Sequence, residues 1–255
     1  MRTSLRSGSA LLCGLLAAVT AWAEPPSRGF QLAARTPHFL FYSRNGEPID
    51  VHEVERSLWK VQRLLGQELP GRAEYYRYGT PQEVAADLGE YASGVTLGSL
   101  RQIHTVRRES HFHEIVHLVA AQLGDPGPFF QEGLAVALSG SSWRGQALTR
   151  VRLPPGLRRQ KISALAAGFE SLRPEIAYPV AGSFVAFLIK THGVARVAAF
   201  FRASGSSGAP RDEVFRATFG AGLDEAGAAW AEGRRLKRGS PPPPPSCCAS
   251  RRGGP

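Results

Sequence analysis

Hydrophobic positions change period along this chain, and the change divides it. Residues 39–42 (Phe-Leu-Phe-Tyr) form a short apolar run closed by Asn45-Gly46, which predicts a strand and a turn. Val54, Leu58, Val61, Leu65 and Leu69 then recur at helical spacing. Asp50 stands ahead of them as an N-cap, with Glu53 three residues on, and Pro70-Gly71 stops the helix. Residues 74–78 predict a second strand. Thr80-Pro81-Gln82-Glu83 opens a short helix with a cap, an N1 proline and an N3 glutamate in place, and Gly89 ends it. Residues 100–106 predict a third strand, so residues 36–106 read as a small strand-and-helix lobe.

Beyond this lobe the period is helical. Helices are predicted from Ser110, as a cap, to Leu123, stopped by Gly124, and then at 130–139, 181–192, 194–202, 212–218 and 224–236. The fold class expected is α+β: a small N-terminal lobe of strands and helices with an edge strand, followed by a mainly helical lobe.

The ends follow other rules. Residues 1–23 combine Arg2 and Arg6, an apolar run at 10–18, and Ala21-Trp22-Ala23 as a cleavage site, the pattern of a secretory signal. Residues 239–255 contain five consecutive prolines, 241–245, and predict a polyproline spacer with a disordered tail. The expected organisation is a signal at 1–23, one domain at 24–238 and a tail at 239–255. The expected location is outside the cytoplasm, periplasmic or extracellular, with no stable membrane span once the signal is cleaved.

Composition narrows the function. The chain has 255 residues, 31 Lys plus Arg against 21 Asp plus Glu, and a net charge of +10. These basic residues are scattered, with groups at Arg107-Arg108, Arg158-Arg159, 234–238 and Arg251-Arg252, and no aromatic recognition motif accompanies them, so nucleic acid is not expected as a partner. The three cysteines are Cys13, Cys247 and Cys248, all in the terminal segments, which excludes a disulfide framework or thiolate metal site in the body. A Gly-x-Ser-x-Gly elbow, a phosphate loop and a dinucleotide glycine fingerprint are all absent.

One stretch carries chemistry. His113-Glu114-Ile115-Val116-His117 puts two imidazoles on one helical face, about 40° apart in projection, where both reach one ion. Glu114 stands beside the first histidine, within reach of a water on such an ion. Fifteen residues after His117, across Gly124-Asp125-Pro126-Gly127, comes Glu132 in Phe129-Phe130-Gln131-Glu132-Gly133-Leu134-Ala135. An antiparallel return of that second helix brings Glu132 to the histidines, and two histidines with one carboxylate are a complete protein set for catalytic zinc.

His-Glu-x-x-His followed by Glu-Gly-Leu-Ala resembles the gluzincin metallopeptidases, in particular the bacterial peptidase MA-like group. Softer likenesses lie at Thr36-Pro37-His38-Phe39, at 75–78, at 178–188, at Phe219-Gly220 and at Trp230. The resemblance implies a zincin lobe, Zn2+ held by His113, His117 and Glu132, and Glu114 as general base. The substrate would be a peptide or protein. It also implies that residues 100–106 are the edge strand along the cleft, and that an oxyanion donor is needed, with Tyr178 the candidate and His104 the runner-up. One position departs from the thermolysin-like pattern: Val136 stands four residues after Glu132 where an acid would orient a ligand imidazole. His111 is expected at the surface, and His38, His52 and His192 carry no spacing signal. The alternative function is a catalytically inactive exported protein that binds peptides or anionic polymer on the same scaffold.

Overall fold

The computed structural model describes residues 29–106, 111–140, 142–143, 146–148, 151, 153–206, 208 and 211–239, with main chain only at 142–143, 146 and 234–239. The expected signal at 1–23, the proline segment, all three cysteines, Arg107-Arg108 and the cap at Ser110 lie outside the described residues.

A five-stranded sheet comes first. Its strands are β1 (Phe30–Arg35), β2 (Phe39–Arg44), β3 (Ala73–Arg77), β4 (Gly94–Leu97) and β5 (Gln102–Thr105), in the spatial order β1-β2-β3-β5-β4. β2, β3 and β5 run parallel, and β1 and β4 are antiparallel to their neighbours. α1 (Val51–Leu65) crosses one face and α2 (Pro81–Leu88) the other. Alternation sorts the strand residues. Phe39, Phe41, Tyr75 and Ile103 join Val54, Leu58 and Val61 of α1 in the main core, whereas Tyr76 and Tyr78 pack with Val84 of α2.

Both expected caps form. Asp50 accepts from the backbone N–H of Glu53 at 3.0 Å, and Thr80 with Glu83 makes a reciprocal capping box. α1 ends at Gly66 in the left-handed region, φ 59°. Arg202 donates to the carbonyls of Leu65 and Gly66 at 3.0 and 2.8 Å, closing that helix end from the other side of the molecule.

The helical region contains α3 (His111–Ala120), α4 (Pro128–Leu138), a two-residue hairpin of β6 (Ser142–Trp143) and β7 (Gln146–Ala147), α5 (Ile162–Ala167), α6 (Pro174–His192), α7 (Val194–Ser206), α8 (Arg211–Phe219) and α9 (Leu223–Gly239). The α+β expectation therefore stands. Phenylalanines 129, 130, 184, 200 and 215 fill the centre, each 0–1% exposed. Among the described residues no single helix is long and apolar enough to cross a membrane.

Five sequence expectations change. α1 stops at Leu65 rather than at Pro70-Gly71, because Gly66 turns left-handed first, and Leu69 is buried from the segment beyond it. The third strand starts at Gln102: Leu100 is 50% exposed in the turn that joins β4 to β5, and Arg101 takes a φ of 53° there. β5 lies inside the sheet with all four residues buried, so residues 100–106 do not form the edge; the edge is β4, which shows no hydrophobic alternation. α3 ends at Ala120 rather than Leu123, the last three residues tightening through Gln122 N–H to Val119 O and Leu123 N–H to Ala120 O. α6 starts seven residues before 181, because Pro174 sits at its first position, and Pro179 is carried inside the helix near that end.

Candidate metal centre

α3 supplies the two histidines. Ile115, Val116, Leu118 and Val119 are fully buried and anchor the helix, which leaves His113 and His117 together on the remaining flank. A seven-residue connection, 121–127, returns the chain to α4. Its conformation is held by Asp125, which accepts from the Gly127 N–H at 2.8 Å, and by Gln131, which donates to the Gly124 carbonyl at 3.1 Å. Gly124 (φ 147°) lies against the backbone of α7: a Cβ there would stand 2.5 Å from the Phe201 carbonyl oxygen and 2.9 Å from Gly205 Cα.

α4 then crosses α6 at close range. A Cβ on Gly133 would meet Val185 at 2.6 Å and the Ala181 carbonyl oxygen at 2.9 Å; a Cβ on Gly182 would meet Val136 at 2.2 Å. The two glycines thus let the helices approach backbone to backbone, with Val136 filling the space over Gly182. Position 136, where the thermolysin-like pattern has an acid, is taken up by this packing against α6. Glu132, next to Gly133, is placed by this crossing.

The result is a tight triangle. His113 Nε2 lies 3.1 Å from His117 Nε2, and Glu132 Oε2 lies 3.2 Å from the first and 3.4 Å from the second. A tetrahedral ion with ligands at 2.0–2.1 Å sets its donor atoms about 3.3 Å apart. Three donors from two helices already at that spacing fit zinc, and all three side chains are at least partly buried. Burial pushes the Glu132 carboxyl up, but the imidazoles of His113 and His117 outweigh it and hold its pKa at about 2. Burial pushes His117 down, yet Glu132 and Glu114 outweigh it and raise its pKa. The set is thus a carboxylate facing two bases, a natural seat for a cation.

Glu114 takes no place in the triangle. It is 5% exposed, and burial raises its pKa against the lowering influence of His117, His113 and the Thr96 hydroxyl. Two residues of β4 hold it. Thr96 Oγ1 lies 2.8 Å from Glu114 Oε2 and 3.0 Å from the Glu114 carbonyl, donating to one at a time. Gly94 leaves the space the carboxylate occupies: a Cβ there would stand 2.4 Å from Oε1. Sequence reasoning passed over both residues. A glycine in a four-residue run between Gly89 and Gly98 was the available sign of a close backbone approach.

Tyr178 lies in the first turns of α6, one turn before Gly182 on the same face. Burial first, then the charges of Glu132, Glu114 and Glu90, raise its pKa, so the phenol keeps its proton among the carboxylates of the site. His104 is not there. It points to the opposite face of the sheet from α3, stacked on Tyr76 at 4.8 Å, with Nδ1 2.9 Å from the Tyr78 hydroxyl. Strand alternation excludes it as an oxyanion donor. His111 is also corrected: instead of standing at the surface it is 4% exposed, stacked on Tyr75 at 5.4 Å, with its Nδ1 hydrogen-bonded to the Tyr75 hydroxyl, whose burial keeps that phenol protonated.

No protein-family profile matches the sequence, and no curated protein is significantly similar to it. Among solved structures, the chain is similar to an M1 zinc metallopeptidase from Deinococcus radiodurans, at 17% identity and a TM-score of 0.41, over 84% of this chain and 51% of that one. A mutant of that metallopeptidase from the same organism matches at 16% identity and a TM-score of 0.40, with 84% and 51% covered. A two-domain M1 zinc metallopeptidase mutant bound to L-arginine matches at 15% and 0.39, again with 84% and 51% covered. The chain spans about half the length of these structures.

Proposed function

We propose that this chain is a zinc-dependent metallopeptidase, with His113, His117 and Glu132 as metal ligands and Glu114 as general base. The observation that carries this reading is the triangle of donors at 3.1–3.4 Å with a second, buried carboxylate held beside it but outside it. A structural zinc site needs no such extra acid. When bound, zinc supplies Lewis acidity toward a peptide carbonyl and toward water.

The protein groups then divide the work. Glu114, its carboxylate fixed by Thr96 and by the space above Gly94, takes the proton of the attacking water and returns it to the departing amine; a raised pKa suits both transfers near neutral pH. Tyr178, kept protonated, donates to the oxyanion. The outer edge of β4 offers unpaired backbone groups to an extended peptide beside Glu114. In this proposal the substrate is a peptide or protein, met outside the cytoplasm by virtue of the signal read at 1–23.

Zinc content and peptide hydrolysis test it together. The purified chain should hold about one zinc, and His113→Ala should hold none. Glu114→Gln should keep the zinc and lose hydrolysis by about 10²–10⁴-fold. Undiminished hydrolysis in that variant would remove Glu114 from the mechanism. Absence of zinc after reconstitution would leave the non-catalytic peptide- or polymer-binding reading in its place.

A further inference from the structure

The outer face of α1 presents one kind of chemistry along its length. Val54, Leu58, Val61 and Leu65 turn into the core, and on the opposite side His52, Arg56, Trp59, Lys60 and Arg63 are exposed within a sweep of about 100°. The strip is about 16 Å long. Trp59 is 59% exposed, with the Arg63 guanidinium 4.5 Å from its ring centre. Lys60 lies 4.9 Å from the ring centre of Phe112, the neighbour of His113, so the strip adjoins the first turn of the helix that carries the site. Among the described residues Arg56, Lys60 and Arg63 form no ion pair, and as neighbours at i+4 and i+3 they repel one another. The acids of α1 flank the strip: Glu55 is turned to His38 at 2.8 Å, and Glu53 sits in the first turn, where it offsets the helix dipole, at the border of the strip next to Lys60. Between α1 and Phe112 a shallow depression of about 390 Å³ is lined by Glu53, Arg56, Ser57, Lys60 and Phe112, two cations against one carboxylate.

We propose that this face of α1 docks on an anionic phospholipid surface, with Trp59 at the boundary of headgroups and acyl chains and Arg56, Lys60 and Arg63 on lipid phosphates. Charge complementarity selects an anionic partner. A large indole on the crest of a helix, flanked by long cations whose stems can snorkel, selects a planar lipid surface over a threaded polymer, which is held in grooves. The metal site plays no part in this inference.

The experiment uses full-length chain and vesicles of phosphatidylglycerol mixed with phosphatidylcholine, against vesicles of phosphatidylcholine alone. The chain should partition to the anionic vesicles, less so as salt rises. The combined Arg56→Glu, Lys60→Glu, Arg63→Glu variant keeps both chain ends, so any contribution from them cancels, and it should bind at least about a hundredfold more weakly. Lipids brominated on the acyl chain should quench a component of tryptophan emission that Trp59→Phe removes, while Trp59→Phe keeps partition and Trp59→Ser loses it. Circular dichroism melts identical to the parent verify that the exposed substitutions leave the fold intact. Equal partition of the triple variant, no quenching at Trp59, or tighter capture by a soluble sulfated polysaccharide through the same three cations would each overturn the proposal.

Discussion

At the scale of single residues, Gly94 shows how little a site of this kind can spare. Its φ does not fall in the left-handed region, so the backbone would accept alanine; the obstacle is the Glu114 Oε1, 2.4 Å from the added carbon. Gly94→Ala should therefore cost about 1–3 kcal/mol of stability and lose hydrolysis by about 10²-fold through displacement of the proposed base; unchanged turnover and an unchanged denaturation curve would disprove the assignment of that space. His104 makes a second prediction. Burial lowers its pKa from 6.5 to about 4, so below pH 6.5 the unfolded chain binds a proton that the folded chain refuses. Stability present above pH 6.5 is then lost as the pH falls toward 4, by up to about 3 kcal/mol. Urea titrations at pH 7 and pH 4.5 should show this loss, and His104→Gln should flatten it. These residues also mark where the sequence was readable. His113, Glu114 and His117 were legible because a helix converts spacing into adjacency, and Glu132 because a short turn followed by a second helix implies an antiparallel return. His111 was not: its partner Tyr75 lies 36 positions away on a strand, and no local pattern records that pairing.

Among elements, the crossing of α4 and α6 sets the position of Glu132, the third proposed ligand. Gly182→Ala gains about 1 kcal/mol of helix propensity but drives a Cβ to 2.2 Å from Val136, an overpacking that costs about 1–3 kcal/mol, so net destabilisation is expected. Adding Val136→Ala returns the volume, and the double variant should be more stable than the sum of its singles predicts, a coupling that a double-mutant cycle by urea denaturation measures. Legibility follows the same divide between local and distant causes. The start of α1 and both ends of α2 were readable to within a residue because their caps are written in the chain, Asp50 with Glu53 and Thr80 with Glu83, whereas α1 stops at Gly66, four residues short of the expected stop at Pro70-Gly71. β4 was not, since its four residues are all half-buried and gain their role from contact with Glu114 and pairing with β5. β1, α5 and the early start of α6 were missed for the same reason: they are short or proline-bearing pieces stabilised by what they touch.

Across the whole molecule, the triad joins two consecutive helices that touch each other and are each packed most extensively against a different partner, α3 against α1 and α4 against α6. A cation in the triangle ties these packings together. Chelation should lower the melting temperature by roughly 5–10 °C relative to protein with zinc at a hundredfold excess over its Kd, and zinc should restore it; His113→Ala should show no such difference. Identical melts of chelated and zinc-loaded chain would mean that no ion bridges the helices. The fold also ranks its connections by their freedom to drift in length. Most can absorb an added residue at small entropic expense, since closure entropy grows slowly with loop size. The connection at 121–127 has no such slack. Gly124 rests on Gly205 and Phe201, so a residue inserted there cannot bulge toward α7, and one absorbed into the start of α4 would slide Glu132 by about 1.5 Å and turn it about 100° away from the histidines. A lineage of such chains could lengthen nearly every other turn and still gather three donors around one point, but at this turn it would have to keep count.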